Sequence, residues 1–373
     1  ESLRGRPGSL LVETGADGSI IREIGRDEPQ TGESLATTLD KGLQQKADAL
    51  LAGRKGALIA GDPATGAILA LVSGPGFDPN SVEKYLNDQN SPLFNRAVGG
   101  VYPPGSTFKI ITAAAALEER KIDGQTQIED TGVIKIGDYQ YTNWYYTQYG
   151  RTEGNLNVVG ALKRSNDIFF YRLGETLGIR ALSEWAKFFG VGNKTGIDLP
   201  GEAGGLMPDP VWKEAVQKEP WYLGDTLISA IGQGNILMTP LQVNQMTSVI
   251  ASGGRWCRPH LVKSEARSTK SETCRRLDIS PSTLALITEG MSQVTQAGGT
   301  AFPFFDFPVS VAGKTGTAEY GDEDKTHAWF TGFSPADKPN IVITVLLEGA
   351  GEGSAEAAPV AKELLSYWFS RQL

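Results

Sequence analysis

The chain has 373 residues, 40% of them apolar and 21% charged, a composition that folds and buries a core. Lysine and arginine number 35 against 43 aspartates and glutamates, a net charge of −8 with no basic stripe, which argues against a nucleic-acid-binding protein. Two cysteines and two histidines cannot build a Cys/His metal centre, and no run of about 18 apolar residues is present to span a membrane. The chain opens at Glu1 with neither Met nor signal peptide, so a fragment of a longer protein is expected.

In chain order, Ser9–Glu13 and Ser19–Ile24 predict a small hairpin around Asp17-Gly18. Ala57–Ala60 and Ala67–Val72 predict a second hairpin around Asp62-Pro63-Ala64-Thr65-Gly66. Pro103-Pro104-Gly105 precedes an Ala-rich helix expected over Ser106–Arg120. Val158–Leu177, Leu182–Phe189 and Pro240–Ser252 carry apolar residues at helical spacing. Pro308–Ala318, Ala328–Phe333 and Ile341–Leu347 predict strands, and Ala357–Phe369 a closing helix. Strands early and late with helices between predict an α+β fold, in which both chain ends build one antiparallel sheet packed by helices.

Three short patterns carry chemistry. Ser106-Thr107-Phe108-Lys109 places a hydroxyl and an amine on one helix face. A serine needs a neighbour to take its proton, and a lysine does so when burial lowers its pKa. A second copy, Ser81-Val82-Glu83-Lys84, lies in a polar stretch, where Ser81 is expected to cap a helix. Lys314-Thr315-Gly316-Thr317 lies in an apolar strand, where Gly316 would leave the edge open to a ligand. The copy at Lys194-Thr195-Gly196 reads as a turn with a solvated lysine. Ser165-Asn166-Asp167 stands against an apolar run and, taken alone, fits a helix cap or junction equally well.

Together, and in this order, S-x-x-K, S-x-N-like and K-T-G elements form the set of acyl-serine enzymes that includes the penicillin-binding proteins. The flanks extend the match. Tyr102-Pro103-Pro104-Gly105, Thr195-Gly196-Ile197-Asp198-Leu199-Pro200-Gly201-Glu202, Trp221-Tyr222-Leu223-Gly224-Asp225-Thr226, Gly232-Gln233-Gly234, Thr239-Pro240-Leu241-Gln242 and Ala312-Gly313 resemble the class B, monofunctional penicillin-binding proteins. Within that family the elongation type, that of penicillin-binding protein 2, is the more similar. The resemblance runs from about residue 33 to the C-terminus. It assigns 34–373 to a transpeptidase domain with a helical subdomain, and 1–33 to the remnant of an N-terminal pedestal.

The resemblance implies a peptidoglycan D,D-transpeptidase. Ser106 attacks the D-Ala-D-Ala bond of a stem peptide, Lys109 takes its proton, and Ser165 relays a proton to the leaving amine. The N–H groups of Ser106 and Thr317 hold the oxyanion. Lys314, Thr315 and Thr317 bind the terminal carboxylate along the Gly316 edge. It further implies acylation by β-lactams, a glycosyltransferase partner in the elongation machinery, and a place on the outer face of the cytoplasmic membrane, held by an N-terminal anchor outside this chain. A β-lactam sensor, a D,D-carboxypeptidase and a β-lactamase of the same fold are the alternatives. Asp167 stands where the family pattern has Asn; as a carboxylate it only accepts hydrogen bonds, so it is expected to order the lysines or Ser165. Some members carry a His/Cys zinc site between the first two motifs; Thr131–Leu156 has neither residue, so no metal and no cofactor are expected. That stretch holds Tyr139, Tyr141, Trp144, Tyr145, Tyr146 and Tyr149, expected to pack on one another more than to line a groove. In the oxidising setting that the resemblance implies, a Cys257–Cys274 bridge is expected, closing a hairpin loop over Lys263–Glu272.

Overall fold

The computed structural model describes residues 3–263, 274–321 and 325–371. Strands β1 (Ser9–Thr14) and β2 (Ile20–Asp27) form an antiparallel hairpin of their own, outside the main sheet. Helix α1 (Lys41–Leu51) follows, capped by the Asp40 carboxylate on Leu43 N at 2.8 Å. Strands β3 (Gly56–Gly61) and β4 (Ile68–Gly74) make the predicted second hairpin. Ser81 precedes a short 3₁₀ turn, Val82–Tyr85, but its side chain makes no capping bond, so the expected helix cap is not formed; the turn is too short to leave the orphan N–H groups that a cap serves.

Helix α2 (Lys109–Glu118) is almost wholly buried, which its alanines permit: they bring no side-chain bulk to the helix contacts around them. A lobe follows, made of β5 (Ile128–Asp130), β6 (Val133–Ile136), β7 (Tyr139–Thr142), α3 (Trp144–Tyr149) and β8 (Gly154–Leu156). The helix expected over 158–177 is two helices, α4 (Val158–Arg164) and α5 (Asp167–Phe188). They part at Ser165, whose φ of +53° no helix accommodates. Gly178 kinks α5 where the expected pair of helices meets.

Helices α6 (Pro210–Gln217), α7 (Leu223–Ala230) and α8 (Pro240–Ala251) complete the middle. Thr239 and Gln242 close a capping box on α8, the physical content of Thr239-Pro240-Leu241-Gln242. Strands β9 (Arg255–Cys257) and β10 (Cys274–Arg276) pair as a ribbon, with Cys257 and Cys274 opposite each other and disulfide-bonded. The loop expected between them lies outside the described residues apart from Lys263. Helix α9 (Pro281–Val294) leads to β11 (Ala312–Glu319), β12 (Thr326–Ser334), β13 (Ile341–Leu347) and the closing helix α10 (Ala358–Ser370).

The sheet runs β11-β12-β13-β3-β4, antiparallel throughout, so both ends of the chain do build it. Alternation divides its side chains. Leu58, Phe330, Ile343 and Val345 face α1 and α10. Trp329, Phe333, Val342 and Leu346 face the opposite core, with α2, α5, α8 and α9. The site forms at the edge strand β11, where this second core meets α2 and the α4–α5 junction.

Candidate active site

Ser106 sits on a 3₁₀ turn, Gly105–Phe108, that runs into α2, and not in the α-helix the spacing suggested. At three residues per turn, Ser106 and Lys109 stand one above the other. The turn is clamped on several sides. Tyr102 exchanges two backbone hydrogen bonds with Met238, Trp329 Nε1 donates to Pro103 O at 3.0 Å, and Gly105 N donates to Gly232 O at 2.9 Å. Gly105 has φ +52°, and a Cβ there would lie 2.8 Å from Thr317 O, so the turn rests directly on β11. The same contact corrects the expectation for Gly316. Its open side is filled by the turn itself, since a Cβ would meet Thr107 Cγ2 at 3.0 Å and Pro104 O at 3.2 Å. Gly316 makes room for the nucleophile's turn, not for a ligand.

Lys109 and Lys314 are fully buried, and both reach Ser165. Lys109 Nζ donates to Asp167 Oδ1 at 2.6 Å, to Ser165 O at 2.8 Å and to Ser165 Oγ at 3.3 Å. Lys314 Nζ donates to Ser165 Oγ at 2.8 Å and to Thr315 O at 3.0 Å. The left-handed backbone of Ser165 makes this possible, because it turns both the carbonyl and the hydroxyl of one residue toward the lysines. Such a conformation costs a non-glycine residue about 1 kcal/mol and is held by its surroundings. Among the described residues Ser106 Oγ has no hydrogen-bond partner.

Burial pushes the Lys109 ammonium below the ordinary lysine range, against the pull of Asp167 and, more weakly, Glu153. Burial lowers Lys314 further, and the charge of Lys109 adds to it. The charge of Lys109 thus disfavours a proton on Lys314. Neither histidine is placed to act as a base here. His327 is buried and pushed down to about 4, and its Nδ1 accepts from Gly349 N; His260 Nδ1 lies against Arg258 O.

Asp167 lies between Lys109 and the lobe, with Trp144 N donating to its Oδ2 at 3.3 Å. It orders Lys109 as expected, whereas Lys314 reaches Ser165 instead. Substituting Asp167→Asn removes the carboxylate charge that faces the Lys109 ammonium. Acylation should slow about tenfold, equivalent to roughly 1.4 kcal/mol of barrier, while thermal stability stays within experimental scatter. Stopped-flow acylation checks this, and an unchanged rate removes Asp167 from the chemistry.

Thr315 and Thr317 share one face of β11. Thr315 Oγ1 lies 2.6 Å from Thr300 Oγ1, and Thr317 Oγ1 accepts from Gly353 N at 3.3 Å, which leaves the Thr317 proton free to donate. Sequence reasoning missed Thr300, and also Asp130, Asn143, Glu153 and Arg164. Arg164 pairs with Glu153, stacks over Trp144 and Tyr145 at 5.3 Å, and donates to Gly298 O at 2.7 Å. Trp144, Tyr145 and Tyr149 do pack on one another, but Tyr141 packs on Tyr171 of α5, and Tyr139 is exposed.

The duplicate motifs fall away. Lys194 is exposed, and Thr195 and Gly196 are held by the buried Glu202 carboxylate, so that copy is a locked turn. In the Trp221–Thr226 stretch, Asp225 accepts from Tyr222 N and from Lys213 Nζ, both at 2.7 Å, and so fixes the start of α7.

A nucleophile turn on an edge strand, two buried lysines and a serine between them define an acyl-serine site on a β-lactamase/transpeptidase fold. The penicillin binding protein transpeptidase domain model matches residues 56–366, and the chain belongs to that family. It is 37% identical over 401 residues to the peptidoglycan D,D-transpeptidase MrdA of Acinetobacter baumannii, covering 98% of this chain and 58% of that one. It also resembles the PBP2 of Pseudomonas aeruginosa in complex with WCK 5153, with TM-score 0.84 and 38% identity over 91% of this chain and 79% of that one. The Helicobacter pylori PBP2 in complex with MreC gives TM-score 0.85 and 32% identity over 99% and 70%. The chain spans about three fifths of the length of the curated MrdA relatives it matches.

Proposed function

We propose that this chain is the catalytic part of a peptidoglycan D,D-transpeptidase. The observation that carries this is Ser165 Oγ, held by two buried lysines beside the Ser106 turn. Ser106 Oγ attacks the carbonyl between the two terminal D-alanines of a stem peptide, and Lys109 accepts its proton. The backbone N–H groups of Ser106 and Thr317 stabilise the oxyanion, worth a few kcal/mol per donor. The C–N bond breaks, the proton passes through Ser165 to the departing D-alanine amine, and an ester remains on Ser106. An amine of a second stem peptide attacks this ester, which forms the cross-link and returns the proton to Ser106. Thr315, Thr317 and Lys314 hold the donor's terminal carboxylate. β-Lactams enter the same path and stop at the ester.

Residues 1–33 belong, on this reading, to a pedestal that precedes the transpeptidase domain of 34–373. The separate β1–β2 hairpin supports this, with Leu10, Leu11, Ile20, Ile21 and Ile24 all exposed. The whole protein acts on the outer face of the cytoplasmic membrane, held by an anchor and working with a glycosyltransferase of the elongation machinery. A relative at 33% identity has been solved under the description of a peptidoglycan synthase complex coordinating polymerization and crosslinking, which supports that partner. No helix among the described residues is long and apolar enough to cross a membrane.

The test has two arms. Mass spectrometry of protein treated with penicillin should find one adduct, on the peptide carrying Ser106 and not on that carrying Ser81. Supplied with a D-Ala thioester donor and an amine acceptor, the enzyme should form the amide product. An adduct without amide formation would make the chain a sensor. Release of the free acid alone would make it a carboxypeptidase, and rapid loss of the penicilloyl adduct a β-lactamase.

A further inference from the structure

The lobe between the first two motifs hides a carboxylate that the mechanism does not use. Asp130 is only 3% exposed and forms no salt bridge among the described residues. Burying a charge without a counter-ion is costly unless hydrogen bonds compensate it. Here three do. Oδ1 accepts from Gly132 N at 2.9 Å, and Oδ2 accepts from Asn143 Nδ2 and from Glu153 N, each at 2.9 Å.

The bond to Asn143 has a direction. Asp130 can only accept, so the Asn143 amide must present its nitrogen to it. Its oxygen is thereby turned to Asp167 N, 3.2 Å away, which can only donate. Asn143 is fully buried, and its own N donates to Gly132 O at 2.9 Å, so backbone and side chain are both fixed. The next residue, Trp144, gives its N–H to Asp167 Oδ2, while Asp167 Oδ1 holds Lys109. One line of polar contacts therefore runs from Asp130 through Asn143 and Asp167 to Lys109, with Asp130, Asn143 and Lys109 buried.

We propose that Asp130 and Asn143 are positioning residues for acylation: Asp130 fixes the Asn143 amide, and Asn143 with the adjoining Trp144 N–H sets the Asp167 carboxylate against Lys109. The inference rests on the reading of Lys109 as the base. The charged groups facing Lys109 are Asp167, Glu153 and Lys314, and Asp130 acts on it through Asp167. Loosening Asp167 should slow proton transfer without weakening the first encounter with the ligand, because no member of the line binds the carboxylate of the donor.

Stopped-flow acylation with a fluorescent penicillin separates the two steps. Asp130→Asn should lower the acylation rate constant about fivefold and leave the dissociation constant of the pre-acylation complex within about twofold. The pH at which the rate rises should move down, as in Asp167→Asn, because Lys109 loses part of the partner that favours its charged form. The double variant Asp130→Asn/Asp167→Asn should be no slower than Asp167→Asn alone, since the two act in series. Asn143→Ser, which leaves two of the three bonds to Asp130 in place, should repeat the Asp130→Asn result and serves if that variant fails to give a cooperative melt.

An unchanged rate constant in a folded variant, or a double variant whose loss is the product of the two single losses, overturns the proposal and leaves the pair as the lobe's own fastening. Lys109→Met separates this from failure of the underlying reading. If that substitution leaves acylation intact, the base assignment itself is wrong; if it stops acylation while Asp130→Asn and Asn143→Ser do nothing, only this inference falls.

Discussion

Acylation by penicillin is expected to vanish in Ser106→Ala and to fall about 10³-fold in Lys109→Met, a loss of roughly 4 kcal/mol of barrier stabilisation. On the proposed mechanism Ser106 carries the bond-forming oxygen, so nothing should remain to be acylated without it. Lys109→Met keeps the length of the side chain in a site where every neighbour is packed, and removes only the proton acceptor. The variant strips the largely buried Asp167 of its partner, which costs stability, so a cooperative melt has to accompany the rate measurement. The pH profile identifies the cause. On the proposed mechanism acylation needs Lys109 without its proton, so the rate should rise with pH through the pKa of that group. Burial places this rise below the ordinary lysine range, and Asp167 moves it partway back. In Lys109→Met the residual rate should lose that rise. A variant that keeps both its rate and its pH dependence would show that another group takes the proton.

Cys257→Ser/Cys274→Ser is expected to cost about 3 kcal/mol of stability and to lower Tm by about 5 °C, with the acylation rate unchanged. The two cysteines face each other across the β9–β10 ribbon, with their Cα atoms 3.9 Å apart and 17 residues apart in sequence. In the chain-entropy account, a closed loop of this size removes freedom from the unfolded chain while the folded state keeps its contacts. Ala64 O, in the β3–β4 turn at the far side of the sheet order from β11, lies 3.7 Å from Cys257 Sγ. Differential scanning calorimetry with and without a reductant checks the prediction. A melting temperature that ignores both reduction and substitution would show that the bridge contributes nothing.

How much of this was legible in the sequence depends on whether local chemistry or distant contact carries the signal. The five sheet strands announce themselves as apolar runs, and the order of the serine and lysine motifs marks the catalytic set. The break at Ser165 has no glycine or proline to announce it; the left-handed turn is imposed by the lysines and helices around it. Helix α9 is blurred by Gly290, whose role is to let Leu162 of α4 approach: a Cβ there would lie 2.7 Å from Leu162 Cδ1. Gly316 was read for a ligand because a strand glycine signals close approach, and the pattern cannot say what approaches. Asp130 and Asn143 look like ordinary loop residues, since what distinguishes them is their bond to each other and that of Asn143 to Asp167, 24 residues further on. Thr300 is silent for the same reason, as its partner lies on another element.

The position of β13 sets an order of events. It is the last of the described strands in chain order, yet it lies in the middle of the sheet, between β12 and β3, with Val342 opposite Gly61. In an emerging chain that already displays Ser106, Lys109 and Ser165, the β3–β4 hairpin still waits for its partner strand some 280 residues downstream. Closing so long a loop costs entropy that is recovered only when the whole strand docks, so partial sheets gain little. The nucleophile turn, the junction serine and the second lysine are therefore expected to come together only once β13 has docked. A chain released before residue 341 should be inert towards penicillin although it holds every motif, because it lacks the strand that joins its two halves.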